Sequence, residues 1–300
     1  MKLEKLVVIS GPTASGKSDL SIKLSKKFNG EIVSADSRQI YKGLDIGTAK
    51  VKKKERGEIP HYLIDIRKPN QFYTASQYKK EAIGAINKII KKRKVPFLVG
   101  GTGLYIKSIV DNLKIPEVKP DLKLRKGLEQ KIEKIGLRSV YEELIRIDPE
   151  AAYIVDEKNP RRVIRALEVA LKTKKPFSEL RKKGEAIFNT LQIALNPGDK
   201  ELKKRVTKRT DKMVKDGLLK EVKNLIKIYD KNISTFDAIG YREIIDYFDK
   251  KYLLEEAISK INTNSWRYAK KQMSWFRKDP NVHWVKNQKE AEKLIYQFLK

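Results

Sequence analysis

Residues 5–18 read KLVVISGPTASGKS, an apolar run (Leu6-Val7-Val8-Ile9) followed at once by the pattern G-x-x-x-x-G-K-S. The spacing predicts a strand, a phosphate-binding loop over 11–18, and a helix over 18–27 whose N-terminus faces an anion. Gly11 and Gly16 let the backbone turn tightly, so that N–H groups point at phosphate oxygens. Lys17 adds a positive charge on the terminal phosphates. The Ser18 hydroxyl suits a Mg²⁺ that those phosphates carry, which makes Ser18 the candidate metal-binding residue. The loop specifies a di- or triphosphate ligand without saying which one, or what is done with it.

Working outward, Glu31-Ile-Val-Ser-Ala35 reads as a short buried strand ending at Asp36-Ser37-Arg38-Gln39. Residues 62–66 form another apolar segment, and 74–93 fit a helix with a basic end. Val95-Pro-Phe-Leu-Val99 is a strand running into Gly100-Gly101-Thr102-Gly103. Strands alternating with helices indicate a parallel α/β sheet, in which ligands sit at the carboxyl ends of the strands. The loop at 11–18, Asp36 and Thr102 all follow strand ends and are expected to share one crevice. The texture changes near Pro116–Pro120, and 121–186 shows mostly helical periodicity. A strand pattern returns at 190–195, amphipathic helices are expected over 199–230 and 241–277, a last strand at 282–285 and a closing helix at 288–299. The expected organisation is a catalytic core, 1–116 with 187–300, interrupted by a helical insertion, 117–186.

The 300-residue chain carries 67 Lys+Arg against 38 Asp+Glu, a formal charge of +29. A small phosphate ligand does not need that excess. A polyanionic partner explains it economically, and nucleic acid is the natural one. Lys enrichment of the kind that accompanies growth at high temperature explains part of it, but not the late clustering of basic and aromatic residues. No apolar run approaches the ~20 residues of a membrane-spanning helix, and the N-terminus leads directly into the first strand, so a cytoplasmic location is expected. The chain has no cysteine, which excludes disulfides, thiol nucleophiles and cysteine-ligated zinc. Two histidines, His61 and His283, are too few for a histidine metal site, and His61 reads as a turn residue.

Several residues have both a chemical and a structural reading. Asp36 could serve as metal ligand or general base, or cap a turn. Thr102 could hydrogen-bond a substrate edge or cap the following helix. Residues 203–212 hold six basic side chains, with Arg205 and Arg209 sharing a helix face. Such a pair suits a diphosphate, although most charge runs are solvated faces. Arg161 and Arg165 likewise share a face, open to a phosphate backbone or to water. In 266–278, five basic residues interleave with Trp266, Tyr268, Trp275 and Phe276. Some of these cations are expected to contact nucleic acid, while Trp266 and Trp275 are each expected in the core.

In order along nearly the whole chain stand GPTASGKS (11–18), SADSRQIYKGLDIGTAK (34–50), PHYLIDI (60–66), VGGTGLYI (99–106), NPRRVIRALEV (159–169), RVTKRTDKMVKDGLLKEV (205–222), AIGYREI (238–244) and YAKKQMSWFRKDPNVHW (268–284). With these the chain resembles the tRNA dimethylallyltransferases, also called isopentenyl-tRNA transferases, in their bacterial form. The resemblance implies an α/β fold with a P-loop NTPase-like parallel sheet flanked by helices. It implies transfer of a dimethylallyl group from dimethylallyl diphosphate to N6 of the adenosine just 3′ of the anticodon of certain tRNAs, with Mg²⁺. By the same resemblance Thr13, Ala14, Ser15, Gly16, Lys17 and Ser18 cradle the diphosphate, and Arg205 or Arg209 neutralises it as it leaves. Asp36 is the general base on the adenine amine and Thr102 orients that amine. Contacts to tRNA fall on Asp36, Ser37, Arg38 and Gln39, on Arg161, Arg162 and Arg165, and on the 238–243 segment with Gly240, Tyr241 and Arg242. One active site per chain makes a monomer sufficient. Two positions depart from the family pattern: Arg38 stands where an apolar residue is usual, and Tyr62 where a histidine is usual. A small-molecule kinase, a relative that prenylates free adenine nucleotides and an RNA-binding protein with a vestigial loop are the competing readings. The charge, the 266–278 segment and the complete loop weigh against them.

Overall fold

A computed structural model of the chain describes residues 3–300. These residues fold into two compact units, one running up to Val110 and resuming over Ile187–Lys300, the other Asp111–Ala186.

The first unit begins with β1 (Lys5–Ser10), α1 (Lys17–Lys27), β2 (Gly30–Ala35), α2 (Lys53–Arg56), β3 (His61–Tyr62), α3 (Ala75–Lys91), β4 (Val95–Gly100) and α4 (Gly103–Val110). The second contains α5 (Leu122–Ile135), α6 (Leu137–Ile147) and α7 (Pro160–Thr173). The first then resumes with β5 (Asn189–Leu195), α8 (Asp199–Lys215), α9 (Leu218–Ile228), α10 (Tyr241–Phe248), α11 (Leu254–Arg277), β6 (Val282–Val285) and α12 (Gln288–Leu299). The strands make one six-stranded sheet in the order β3-β2-β4-β1-β5-β6, parallel at every pairing. This is the α/β architecture expected from the strand–helix alternation.

The two-residue period of the strands explains how the sheet is covered. Leu6, Val8, Val33 and Leu98 share one apolar cluster with Tyr78, Ile86, Ile89 and Ile106 of α3 and α4. Their neighbours Val7, Ile9, Ile32 and Phe97 point the other way, into a cluster with Leu20 and Leu24 of α1 and Ile295 of α12. A sheet buried on both faces reads as a near-continuous apolar run, as β1 does. A third cluster packs Ile40 and Leu44 against Met213, Val222, Tyr241, Ile244 and Ile261 of α8 to α11.

Three expected elements are shorter than their sequence pattern. The 199–230 helix is two helices, because Gly217 takes a left-handed φ of +102° and becomes the N-cap of α9. The 241–277 helix divides between Phe248 and Leu254, where Lys250 adopts φ +58°. The 62–66 segment forms only the end of a two-residue strand, since Leu63 and Asp65 both turn left-handed.

In the second unit α5, α6 and α7 close around Leu128, Val140, Leu144, Val163 and Leu167. Glu168, fully buried among them, accepts from the Asp121 amide at 2.7 Å, from Arg125 at 2.9 and 2.7 Å, and from Arg165 at 2.5 Å. Burying that carboxylate requires partners of this kind. No helix among the described residues is long and apolar enough to cross a membrane.

Candidate active site

The adjacent strands β2, β4 and β1 carry Asp36, Thr102 and the phosphate loop at their carboxyl ends. Register pairs Ala35 with Gly100 and Ile9 with Val99, so the three exits lie side by side. The pairing is tight enough to demand glycine, since a Cβ on Gly100 would sit 2.1 Å from the Ala35 carbonyl oxygen. Just beyond, the Thr102 amide donates to that same carbonyl at 3.1 Å. The Thr102 hydroxyl oxygen accepts from the Ser37 amide at 3.0 Å. Thr102 therefore reaches across to the Asp36 turn, binding the ends of β2 and β4 together.

Asp36 takes its structural reading, that of a turn cap. Its Oδ1 accepts from the amides of Arg38 at 2.8 Å and Gln39 at 3.3 Å, a turn cap that fixes the carboxylate plane. The other oxygen takes no hydrogen bond among the described residues. The charge is felt widely nearby. Burial lowers the Lys17 ammonium to about 8, with Asp36 pulling the other way and Arg209 adding to the fall. Burial also lowers Arg209 from its ordinary value, opposed by Asp36. The Tyr268 phenol is raised to about 12, first by burial and then by Asp36.

α8 brings both predicted arginines to the phosphate loop. Arg205 donates from Nη1 to the Ser15 carbonyl at 3.1 Å while its Nε pairs with Glu201 at 2.7 Å. Arg209, one turn on, donates to the Thr13 hydroxyl. No ion pair among the described residues engages Arg209 or Lys17, and the Lys17 ammonium donates to the loop's own Pro12 carbonyl at 3.1 Å. The Ser15 hydroxyl is buried without a hydrogen-bond partner. A cluster of underused cations and an orphaned hydroxyl around a loop of amides is what an oxygen-rich anion completes.

One amide of the loop is used differently than expected. The Thr13 N–H donates to Oε1 of Gln272 at 2.8 Å, and Nε2 of Gln272 donates to the Gly101 carbonyl at 2.8 Å. Thr13 therefore offers the anion site its arginine-bound hydroxyl, and its N–H is committed to α11. Gln272 is not singled out by the sequence, because the aromatics and cations of 266–278 carry the visible chemistry there. The available signal was a neutral polar residue on the α11 stripe that buries Ala269, Met273 and Phe276.

The expectation that Trp266 and Trp275 are core residues is corrected. Trp275 is exposed, stacks under Lys107 at 6.0 Å and packs on Gly103, where a Cβ would lie 2.2 Å from the indole nitrogen. Trp266 is half-buried, with Lys270 at 5.9 Å from its ring. Both lie off the buried stripe of the helix.

The residues expected to touch tRNA divide. The Arg38 guanidinium bonds the carbonyls of Ser234 and Thr235, each at 3.3 Å, and the Gln39 side chain bonds Thr48. Tyr241 is corrected: its ring is fully buried against Gly47 and its hydroxyl donates to Glu221 at 2.7 Å, so its side chain cannot face RNA. Glu221, also missed, accepts three more bonds from the amides of Asp45, Ile46 and Gly47 and so pins that loop. The Gly240 amide donates to Glu243 at 2.8 Å, and Arg242 pairs with Asp237 at 3.2 Å. Arg165 is held inside the second unit by Glu168 and the Val118 carbonyl, while Arg161 and Arg162 stand exposed on the first turn of α7.

The family model described as IPP transferase matches residues 39–279. A tRNA dimethylallyltransferase from Halothermothrix orenii is 43% identical over 300 residues, covering 98% of this chain and 91% of the relative. One from Carboxydothermus hydrogenoformans is 43% identical over 295 residues, covering 97% and 95%. Among solved structures, a full-length tRNA isopentenylpyrophosphate transferase from Bacillus halodurans superposes with a TM-score of 0.74 at 38% identity, covering 99% of this chain and 97% of that one. A eukaryotic dimethylallyltransferase acting on tRNA gives a TM-score of 0.80 at 30% identity, covering 98% and 77%. The chain belongs to the IPP transferase family, the tRNA dimethylallyltransferases.

Proposed function

We propose that the chain transfers the dimethylallyl group of dimethylallyl diphosphate to N6 of the adenosine 3′-adjacent to the anticodon of certain tRNAs, releasing diphosphate. The observation that carries this reading is the meeting, at the ends of three adjacent strands, of an anion cradle with a free carboxylate oxygen and a hydroxyl. A phosphate cradle alone would serve a kinase equally.

The diphosphate lies along Ala14, Ser15, Gly16, Lys17 and Ser18, with the Thr13 hydroxyl, Arg205 and Arg209 beside it. The adenine N6 attacks C1 of the dimethylallyl group as the C1–O bond breaks, and the bonding pair leaves on the diphosphate. Negative charge grows on that leaving group, so cations preset around it favour the transition state over the ground state. Oδ2 of Asp36 takes the proton that N6 sheds. The Thr102 hydroxyl, already held by Ser37, orients the amine. The adenine must leave its stack to arrive there, at a cost of a few kcal/mol that is least in a single-stranded loop.

A Mg²⁺ fits this donor set. No group of three or more His, Cys, Asp or Glu that could hold a metal occurs among the described residues. The Ser18 hydroxyl would supply one ligand, with diphosphate oxygens and water supplying the rest, as Mg²⁺ prefers. When bound, the ion shields the diphosphate charge. Arg161 and Arg162 are contacts to the phosphates of the anticodon stem-loop, and the Asp36–Gln39 and 238–243 backbones border the flipped base. All these groups stand on one chain, so a monomer suffices, and the reaction we propose is a cytoplasmic one.

The test is incubation with Mg²⁺, labelled dimethylallyl diphosphate and unmodified tRNA whose anticodon is followed by adenosine. Label recovered as N6-isopentenyladenosine after digestion is the expected result. Transfer to free AMP alone, or phosphorylation of a small molecule from ATP with no prenyl transfer, would overturn the reading.

A further inference from the structure

Gln272 is a buried side chain with no charge and no place in the reaction as written, yet it touches both halves of the site. Its carboxamide can accept only at Oε1 and donate only at Nε2, and both are used, on Thr13 of the donor's loop and on Gly101 of the acceptor's turn. We propose that Gln272 is a positioning residue that sets the spacing between the diphosphate cradle and the hydroxyl that holds the attacking amine. This inference rests on the transfer reaction proposed above.

Three observations support it. α11 is packed against the turn as closely as backbone permits, because a Cβ on Gly101 would lie 2.4 Å from Nε2 of Gln272 and one on Gly103 would lie 2.2 Å from Trp275. Gln272 is only 6% exposed, so its hydrogen bonds form where water competes little. The bonds then continue on both sides. Thr13 receives Arg209, and Thr102, the residue after Gly101, holds Ser37 beside Asp36. One unbroken series of contacts thus joins the cation on the leaving group to the base on the amine. A displacement needs nucleophile and carbon within ~3–3.5 Å, and an error of ~1 Å costs on the order of 10²-fold in rate. An amide that spans the gap between cradle and turn guards that distance.

Two variants test the inference against wild type in the tRNA transfer assay. Gln272→Met keeps the shape and removes both bonds. The expected result is a single-turnover rate about 10–100-fold lower, with KM for donor and for tRNA within about threefold of wild type. Gln272→Glu keeps the acceptor for Thr13 but sets an oxygen against the Gly101 carbonyl. Only its protonated form restores a donor there, and burial pushes such a carboxyl upward. The ratio of the Gln272→Glu rate to the wild-type rate should therefore rise as pH falls from 8 to 5.5. A Gln272→Met rate equal to wild type, a loss confined to KM, or a flat ratio for Gln272→Glu overturns the proposal. If Gln272→Met does not fold, the Gln272→Glu ratio decides alone. A wild type that transfers nothing contradicts the parent reaction, whereas an active wild type with an unimpaired Gln272→Met contradicts only the role of Gln272.

Discussion

β2 has a carboxylate at each end, and the two are built in opposite ways. At its start, Glu31 is buried and accepts from Lys94 at 2.9 Å, Lys92 at 3.0 Å and the Tyr62 hydroxyl at 2.7 Å. Burial pushes the Glu31 carboxyl up, but these three donors outweigh it and hold the group below the usual carboxylate range. Past the other end of β2, Asp36 forms no ion pair among the described residues. Lys17 and Arg209 feel its charge across space, and both are lowered from their ordinary values by burial. One end has its charges neutralised by internal partners and serves the fold. The other keeps two half-buried cations without a carboxylate in contact, which leaves them open to an anion. Tyr62, a departure from the family pattern, belongs to the first cluster.

Substitutions at the two ends should separate rate from stability. Arg209→Ala should lower the single-turnover rate by about 10²–10³-fold, the scale for losing a preset charge aimed at a developing anion. A loss of stability without loss of rate would place Arg209 with the structural pairs. The Lys17 value gives a pH signature. The free protein loses that charge as pH rises through about 8, and a bound diphosphate restores it. Affinity for inorganic diphosphate should therefore fall by up to about tenfold per unit above pH 8, with proton uptake on binding seen by calorimetry in buffers of different ionisation heat. Binding that tightens with pH would contradict the assignment.

At the opposite end, Glu31→Gln should cost about 1–3 kcal/mol of unfolding free energy and leave the transfer rate within about twofold of wild type. The native Glu31 carboxyl is depressed, so its contribution is present above the ordinary glutamate value and fades as pH falls through the lower folded-state value. Acid unfolding curves of wild type and Glu31→Gln should accordingly converge at low pH. Tyr62→Phe should have the smallest effect, about 1 kcal/mol in the same denaturation experiment.

The parts of the molecule legible in the sequence are those where local chemistry dictates backbone. The phosphate loop is marked by a spacing that few other arrangements require, while Asp36 and the turn at Gly100–Gly103 are marked by their place after buried strands, although each also has a structural reading. The pairing of Arg205 with Arg209 followed from helical spacing alone. What stayed hidden depends on contacts distant in sequence. Gln272 bonds Thr13 from 259 positions away, and Glu221 holds residues 45–47 from 174 or more. Tyr241 looked available beside Arg242 because only the folded chain shows Gly47 against its ring. Trp275 reads as core because it is a large aromatic among cations on one helix, and only the folded chain shows it exposed over the bare backbone of Gly103. The break at Gly217 was visible as a glycine, but apolar periodicity ran through it on both sides.

The most direct test of the central claim, that Asp36 is left unpaired so that it can take the proton from the attacking amine, is the single-turnover rate of Asp36→Asn at saturating donor and tRNA. Asparagine keeps the Oδ1 turn cap to Arg38 and Gln39. The account predicts near-normal binding of dimethylallyl diphosphate and a rate lower by about 10²–10⁴-fold, the scale of general-base catalysis. A variant that binds both substrates and transfers at the wild-type rate would show that Asp36 only caps its turn.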